Sequence, residues 1–424
     1  MPDGTATSHL YRPKLVTILA EGYRLESLRH DALAGLTVAI VALPLSMAIA
    51  VASGVGPERG LYAAIIGGFL VSALGGSRFQ IGGPAGAFIT LVAATTARFG
   101  VDGLLVTVLL SGMLLTLLGA LRLGQLVRFI PHAVTVGFTF GIAVTIAASQ
   151  LKELGGLHLA QEPSHLLPKL AALSAALPTL SPSALTIGLG SAALIFVLRA
   201  WRPGWPGMLI AVIGASLCAA LLHLPVETIG SHFGGLPSGL PMPRIPALSA
   251  EIMVQLAPAV ISFTLLGGIE SLLSAKVADG MTGRKHRSNM ELVAQGLANI
   301  GSALFGGIAV TGTIARTATN VRAGAKSPVS GILHALFLLL FLLIAAPLAR
   351  FVPLAALAGI LMVVCWNMAE KAEFLRLLHH TRSAAVLLAT FLVTLLADLT
   401  AGIAAGCLLA GILQVICYVR TKAP

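Results

Sequence analysis

Charged residues are scarce in this chain of 424 residues, since Asp, Glu, Lys and Arg together make up only 10% of it. Soluble domains carry about 25%. Aromatic residues reach 5%, whereas hydrophobic residues of all kinds reach 57%, and the mean hydropathy is +0.94. The composition therefore excludes a soluble globular domain and indicates an all-α polytopic membrane protein.

Cysteines are also few, and the sequence lacks the residue patterns of metal sites, nucleotide-binding loops and catalytic sites. The four cysteines, Cys218, Cys365, Cys407 and Cys417, all lie in apolar stretches, where we expect them to pack as small apolar side chains. No grouping of His, Cys and acidic residues has metal-ligand spacing, no glycine-rich stretch matches a nucleotide loop, and no nucleophile–base pair is apparent. We therefore expect no metal site, no cofactor and no enzymatic activity.

Hydrophobic runs separated by polar breaks predict fourteen membrane spans. Those beginning at Pro84 and Thr313 are too short to cross a hydrocarbon core of about 30 Å, which takes about 20 residues. We therefore predict two half-helices, each preceded by extended chain. The predicted spans begin near Asp31, Leu61, Pro84, Leu104, Ala133, Leu185, Met208, Ala257, Leu292, Thr313, Val329, Leu354, Ala384 and Gly402.

The distribution of positive charge indicates an orientation. Of the 27 lysines and arginines, 20 fall on the side of the two termini, six fall on the other side, and Arg316 is left within the membrane. Cytoplasmic loops carry such an excess, so both termini are predicted to be cytoplasmic, in a bacterial inner membrane. This bias also accounts for the net charge of +11 without a nucleic-acid partner.

The two halves of the chain show the same pattern in inverted orientation. Gly83 and Gly312 occupy equivalent positions 229 residues apart, and each half-helix is the third span of a set of seven. An odd number of spans inverts the second set, and interrupted helices at matching positions of inverted repeats indicate a transporter's substrate site. The predicted organisation is a cytoplasmic segment (1–30), a first repeat (31–226), an extracytoplasmic loop (227–249) and a second repeat (250–424).

The half-helices define the predicted binding site for a small anion. Three glycines and several β-branched residues in 306–313 disfavour a helix, whereas a short helix can begin near Thr313 and places Arg316 in its first turn. Helix N-termini and a cation together favour an anion. An intramembrane arginine costs about 2.5–3.5 kcal/mol and is usually functional, although it can also reach toward the membrane surface. The predicted substrate-binding residues are Ala85, Gly86, Ala87, Thr313, Ile314, Ala315 and Arg316.

A second ionisable group lies in the middle of the eighth span. Glu270, if it has no partner, is expected to bind a proton and to couple transport to a cation, H⁺ or Na⁺. The structural alternative is a fixed ion pair with Arg316. Ser274 lies one turn further on the same face and is predicted to help hold the coupling ion, unless it bonds to its own helix backbone. His334 is predicted to be a structural histidine with its hydrogen bonds satisfied.

The motifs of the chain resemble those of the SulP (sulfate permease) family of anion transporters. The resemblance rests on four segments: 31–38 leading to Leu43-Pro44, 56–62, 82–86 and 313–320. It implies a seven-plus-seven inverted repeat with a mobile core domain and a gate domain that forms a homodimer. It also places the anion between the third and tenth spans and links Glu270 to the coupling cation.

Two departures from the family pattern affect these expectations. Leu45 follows Pro44 where many relatives carry glutamine, so a polar contact with the anion is lost. Most relatives also end in a cytoplasmic STAS domain, and from this sequence we expect none after the last span. Sulfate, bicarbonate, dicarboxylate, nitrate and chloride remain open as substrates.

The alternative functions are a nucleobase:cation symporter of the same architecture, which would require a second carboxylate near the site, and an uncoupled anion channel.

Overall fold

A computed structural model describes residues 11–124, 131–159, 163, 166–246, 250–397 and 399–422 of the protein. In the first half, a π-helical turn (Ala63–Gly67) joins two short helices, and a 3₁₀ turn (Gly86–Phe88) leads into a long one. The helices of this half are α1 (Lys14–Glu21), α2 (Leu25–Ala52), α3 (Pro57–Tyr62), α4 (Gly68–Leu74), α5 (Ile89–Ala120), α6 (His132–Gly155), α7 (Leu166–Ala176), α8 (Pro182–Trp201) and α9 (Gly207–Leu221).

The second half is likewise helical apart from one short strand. Strands β1 (Gly82–Gly83) and β2 (Thr311–Gly312), one from each half, form a two-stranded antiparallel sheet. The helices of this half are α10 (Ile229–Phe233), α11 (Ala250–Thr282), α12 (Ser288–Leu304), α13 (Ile314–Arg322), α14 (Val329–Ala349), α15 (Leu354–Met368), α16 (Lys371–Leu378), α17 (Thr381–Leu396) and α18 (Leu399–Lys422).

Helical segments lie where the sequence predicts each of the fourteen spans. The 3₁₀ turn and helix α5 together contain two of them, because Gly100 (φ 69°, ψ −176°) breaks this stretch into residues 86–99 and 101–120. Seven helical stretches of the described chain are long and apolar enough to cross a membrane, and the broken α5 stretch counts as one of them. The first span begins at Leu25 rather than at Asp31, since a polar turn with Glu26 near the positive end of the helix precedes the apolar run. The prediction of an all-α polytopic membrane protein is confirmed.

The repeat is visible in the helix boundaries. A shift of 229 positions carries residues 101–120 onto 330–349, and α14 runs from Val329 to Ala349. The same shift carries residues 86–99 onto 315–328, where the short α13 begins at Ile314. The third and tenth spans are therefore both half-helices that follow extended chain, as predicted.

The helices pack into two groups. Helices α2, α4, α5, α11, α12, α13 and α14 contact one another and enclose the two strands, whereas α6, α8, α9, α15, α17 and α18 form the second group. Close contacts between helices depend on glycine, since Gly112 of α5 and Gly296 of α12 face each other's backbone with no room for a side chain. The two groups meet where α2 packs against α15 and α9.

The strands cross in the middle of the first group. Gly82 lies opposite Gly312 and Gly83 lies opposite Thr311. Thr313 N–H donates to Ile81 O at 3.1 Å and extends the pairing. This pairing satisfies backbone groups that would otherwise remain unpaired in the membrane interior, which is why irregular chain is tolerated there.

Candidate anion-binding site

Both half-helices begin beside the strand crossing, and both N-termini lack a side-chain cap. Ala85 precedes the 3₁₀ turn in extended conformation, and Thr313 precedes α13 in extended conformation. The antiparallel pairing sends the two half-helices away from each other, so both N-termini remain at the crossing. The free amides at a helix N-terminus and its positive dipole end attract an anion. The crossing therefore presents two such ends from opposite sides.

Arg316 lies at this crossing and is only 1% exposed. Its Nη2 donates to Ser46 Oγ at 3.1 Å and to Pro84 O at 3.3 Å. The guanidinium thus extends from the second repeat onto the extended chain of the first. It does not reach toward the membrane surface, because α13 directs it inward against α2 and the segment around Gly83.

The donors of Arg316 are only partly used. Nε and Nη1 are buried and have no hydrogen-bond partner among the residues that the structure describes. No carboxylate of the described chain lies within 4.0 Å of the guanidinium. A buried cation with two unpaired donor nitrogens is costly unless a ligand compensates it. The arrangement therefore favours a bound anion.

The predicted binding residues differ in their accessibility. Ala85, Ala87 and Thr313 are buried, and Thr313 Oγ1 has no partner among the described residues. Gly86 is partly exposed, and Ile314 and Ala315 are exposed at the start of α13. The structure thus brings the two N-termini and Arg316 together at the crossing, with the first residues of α13 exposed.

The second group of helices faces the start of the first half-helix. A Cβ built on Gly86 would lie 3.3 Å from Ile146 Cδ1 of α6 and 3.9 Å from Met368 Sδ of α15. Helix α6 also packs directly against the 3₁₀ turn. The site therefore lies between the two helix groups, with its polar donors on one side and apolar side chains on the other.

A polar stripe on α12 holds the chain that leads into β2. Asn299 donates to Val310 O at 2.8 Å and accepts from Val310 N at 2.9 Å. Gln295 Nε2 also donates to Val310 O, and Ser302 Oγ donates to Ile308 O at 2.7 Å. The spacing of these three side chains, four and then three residues apart, places them on one helix face. They replace the backbone partners that a continuous helix would provide.

Serines of α11 support the crossing from the other side. Ser271 Oγ accepts from Gly312 N at 3.0 Å and donates to Gln295 Oε1 at 2.7 Å. Ser274 Oγ donates to Thr317 Oγ1 at 3.0 Å rather than to its own helix backbone. Thr317 Oγ1 also accepts from Ile81 N at 3.2 Å, so it links α11, α13 and the chain before β1.

Glu270 is placed apart from Arg316. Its Oε2 is enclosed and has no partner among the described residues, while the side chain as a whole is partly accessible. No ion pair joins it to Arg316 within 4.0 Å, so the structural alternative of a fixed pair is not formed in this structure. A carboxyl group without a cation in a membrane interior is most stable with a bound proton or metal cation.

Several residues of the site were not identified from the sequence. Ser46, Ser271, Gln295 and Asn299 contact the crossing segments directly, and the only available signal was the polar stripe on an otherwise apolar α12. His334 on α14 is fully buried, and neither ring nitrogen has a partner in the described chain. The prediction of a satisfied structural histidine is therefore wrong, because no donor or acceptor of the described chain lies within hydrogen-bond distance of either ring nitrogen.

An inverted repeat whose two half-helices begin at one strand crossing, beside a buried arginine, is typical of a membrane transporter of anions rather than of an enzyme. The Sulfate permease family profile matches residues 28–391. The chain belongs to that family.

Relatives and solved structures agree with this assignment. The putative sulfate transporter YvdB of Bacillus subtilis is 44% identical over 398 residues, which cover 93% of this chain and 75% of YvdB. The bicarbonate transporter BicA of Picosynechococcus is 32% identical over 82% of this chain and 64% of its own length.

Two solved structures share the fold. The transmembrane domain of a cyanobacterial BicA matches with a TM-score of 0.81 and 29% identity, over 90% of this chain and 98% of that domain. The structure of SLC26A9 matches with a TM-score of 0.87 at 18% identity, over 97% of this chain and 69% of that one, and supports the fold alone. The chain therefore shares its fold with both solved structures.

Proposed function

We propose that the protein is a secondary active transporter that carries a small anion by alternating access and couples it to H⁺ or Na⁺. The observation that carries this proposal is Arg316, a buried guanidinium with two unpaired donors beside two uncapped helix N-termini. We propose that the anion contacts the amides near Ala85, Gly86 and Ala87 and those of Ile314, Ala315 and Arg316. Sulfate and bicarbonate are the first substrates to test, given the names of the relatives.

Alternating access fits the position of the site between two helix groups. The donors belong to the group that contains α5 and α13, whereas Ile146 and Met368 belong to the other. A movement of the first group against the second would expose the crossing to one side of the membrane and then to the other. The apolar surface of the second group would make that movement possible without breaking polar contacts.

Coupling is assigned to Glu270, with Ser274 as its neighbour one turn away. A carboxyl group in this position must be neutralised before it can move through the membrane interior. Binding of a proton or of Na⁺ would provide this neutralisation. Ser274 would act through Thr317, to which its hydroxyl donates, and would thereby connect the cation site to the half-helix that carries Arg316.

The orientation and assembly are part of the proposal. The distribution of lysine and arginine favours cytoplasmic termini in a bacterial inner membrane. A homodimer formed through the second helix group is consistent with the family resemblance. The lipid-exposed apolar surface of that group includes Leu189, Val197 and Leu217, which are all exposed.

The decisive experiment uses purified protein in liposomes and a panel of sulfate, bicarbonate, nitrate, chloride and dicarboxylates. Glu270→Gln should retain exchange of labelled anion across the membrane and lose accumulation driven by a pH or Na⁺ gradient. Arg316→Gln should lose both activities. Accumulation against the anion gradient by Glu270→Gln would refute coupling through Glu270, and unchanged exchange by Arg316→Gln would refute the anion site.

A further inference from the structure

An open cavity with polar and apolar walls lies at the ends of α8 and α15. It has a volume of about 590 Å³ and is widely open to its surroundings. Arg199 and Phe196 of α8 line one wall, and Trp366 and Asn367 of α15 and Lys371 of α16 line the other. None of these side chains takes part in the anion site. The cavity therefore needs an explanation of its own.

The two cations of this cavity are held in place but not neutralised. Arg199 Nη1 donates to Asn367 Oδ1 at 2.5 Å, and Lys371 Nζ donates to Trp366 O at 3.1 Å and lies 3.1 Å from the Trp366 ring centroid. No carboxylate of the described residues lies within 4.0 Å of either cation. Both cations are thus positioned by neutral groups, which leaves their charge available to a ligand.

Aromatic residues mark the depth of the cavity in the membrane. The chain has only three tryptophans, Trp201, Trp205 and Trp366. All three lie at or just beyond the C-terminal ends of α8 and α15. Their side chains are 69%, 56% and 60% exposed. Tryptophan is enriched at the boundary between hydrocarbon and headgroups. The cavity therefore lies at headgroup level rather than in bulk solvent or in the hydrocarbon.

The surface beside the cavity is apolar and faces lipid. Phe196 and Val197 of α8 are exposed one turn before Arg199, toward the centre of the membrane. A ligand that occupies the cavity can therefore place an anionic group between Arg199 and Lys371 and extend hydrocarbon along α8. Basic pockets between membrane helices on the cytoplasmic side bind lipid headgroups in this manner.

We propose that this cavity is a binding site for the phosphodiester headgroup of an anionic membrane phospholipid, held between Arg199 and Lys371. The charge bias that orients the chain places this end of the helices on the cytoplasmic side. A headgroup bound there would connect α8 to the junction of α15 and α16, and α15 is also the helix that places Met368 opposite the anion site. The lipid would thereby hold the helix group against which the crossing moves.

The three tryptophans provide a reporter for the test. Full-length protein is placed in neutral phosphatidylcholine nanodiscs containing equal mole fractions of dibrominated phosphatidylglycerol or of dibrominated phosphatidylcholine. Bromine quenches tryptophan fluorescence on contact, so the extent of quenching shows which lipid lies beside the three tryptophans. We expect the anionic lipid to quench at roughly 25-fold lower mole fraction, since each of the two cations contributes about fivefold in affinity.

Variants of Arg199 and Lys371 test whether the preference for the anionic lipid depends on this cavity. Arg199→Gln combined with Lys371→Gln should reduce this preference to about one, and Arg350→Gln should leave it unchanged. Arg350 is a matched control, since its guanidinium also lies over an aromatic ring, 4.7 Å from that of Phe351, but at the opposite end of the helices. Equal quenching by the two lipids, or an undiminished preference in the double variant, would overturn the proposal.

A competition experiment distinguishes a bound lipid from a soluble phosphate ligand of the same chemistry. Inorganic phosphate at millimolar concentration is added to the protein in neutral nanodiscs. If the lipid is the ligand, phosphate leaves the tryptophan signal unchanged and does not displace brominated phosphatidylglycerol. Displacement by phosphate would overturn the assignment to lipid. Anion uptake by the double variant in neutral liposomes is expected to match that of the unmodified protein, which shows that the variant is folded and that the anion site is intact.

Discussion

Ser46 and Arg316 are 270 residues apart in the chain and are joined by a hydrogen bond of 3.1 Å, in which Arg316 Nη2 donates to Ser46 Oγ. The same hydroxyl donates to Ala42 O at 2.6 Å. Ser46 is fully buried, so this oxygen has no alternative partner in water. The first span of one repeat therefore fixes the orientation of the guanidinium that the tenth span provides.

Replacing Ser46 by alanine should weaken anion binding without preventing folding. A hydrogen bond to a charged group contributes about 1.5–3 kcal/mol, so loss of this one should raise the apparent KM for the anion about tenfold or more. The maximal rate should change less, because Arg316 retains its contact with Pro84 O. Initial rates of uptake into proteoliposomes over a range of anion concentrations measure both quantities.

Ser53→Ala is the matched control for this variant. Ser53 is also fully buried and follows the same helix, but its hydroxyl bonds only to Ile49 O of that helix. It should leave KM within about twofold of the unmodified value, as expected for a substitution remote from the site. An equal rise in KM for both serine variants would contradict a specific role for Ser46.

The close approach of Gly83 to Arg316 leads to a second prediction. A Cβ on Gly83 would overlap with Arg316 Nη1, so Gly83→Ala should displace the guanidinium and reduce uptake by at least about a hundredfold. Gly190→Ala is the control, because a Cβ there meets nothing within 4 Å. Uptake and elution on size-exclusion chromatography are measured for both variants. Full uptake by well-folded Gly83→Ala protein would show that the guanidinium position is not critical.

The spans and half-helices were predictable because their signals are local. Hydropathy alone located the fourteen segments, and the glycines and β-branched residues around Gly312 indicated extended chain. The matching positions of Gly83 and Gly312 then indicated the inverted repeat. These features depend on neighbouring residues, so one sequence was sufficient to identify them.

The partners of the site residues could not be predicted in the same way. The bond between Ser46 and Arg316, and that between Ser274 and Thr317, join different helices. Their geometry depends on how the two repeats pack against each other, which no local pattern records. The isolation of Glu270 from Arg316 is a result of the same packing. The start of the first span at Leu25 was missed because its first turn is polar.

Asn299 leads to a third prediction, which concerns stability. It holds both backbone groups of Val310, so Asn299→Ala should leave a buried N–H unpaired and cost about 1–3 kcal/mol. Ser302→Ala removes a single bond to Ile308 O and should cost less. Thermal unfolding of purified protein in detergent gives the order, with Ser191→Ala, whose hydroxyl bonds within its own helix, as the control. A loss for Ser191→Ala as large as that for Asn299→Ala would contradict this role.

A fourth prediction concerns the loop between α13 and α14, which Asp31 of α2 holds in place. Asp31 Oδ1 accepts from Lys326 N at 2.6 Å and from Ser327 N at 3.1 Å, and Oδ2 accepts from Ser327 Oγ at 2.5 Å and from Tyr23 OH at 2.6 Å. Burial and the contact with this carboxylate raise the pKa of the Tyr23 phenol, so it remains a donor at neutral pH. One carboxylate thus connects three segments of the chain.

Asp31→Asn keeps the size of the side chain but removes its charge, so the two backbone amides that bond to Oδ1 lose a charged acceptor. We expect the amides of Lys326 and Ser327 to exchange with deuterium at least about tenfold faster, since each bond to a charged group contributes about 1.5–3 kcal/mol. Hydrogen exchange with mass spectrometry of peptides covering this loop measures the change. Glu26→Gln, an exposed carboxylate in the first turn of the same helix, should leave the exchange unaltered. Unchanged protection in Asp31→Asn would mean that the loop is held by its own backbone contacts and not by the carboxylate.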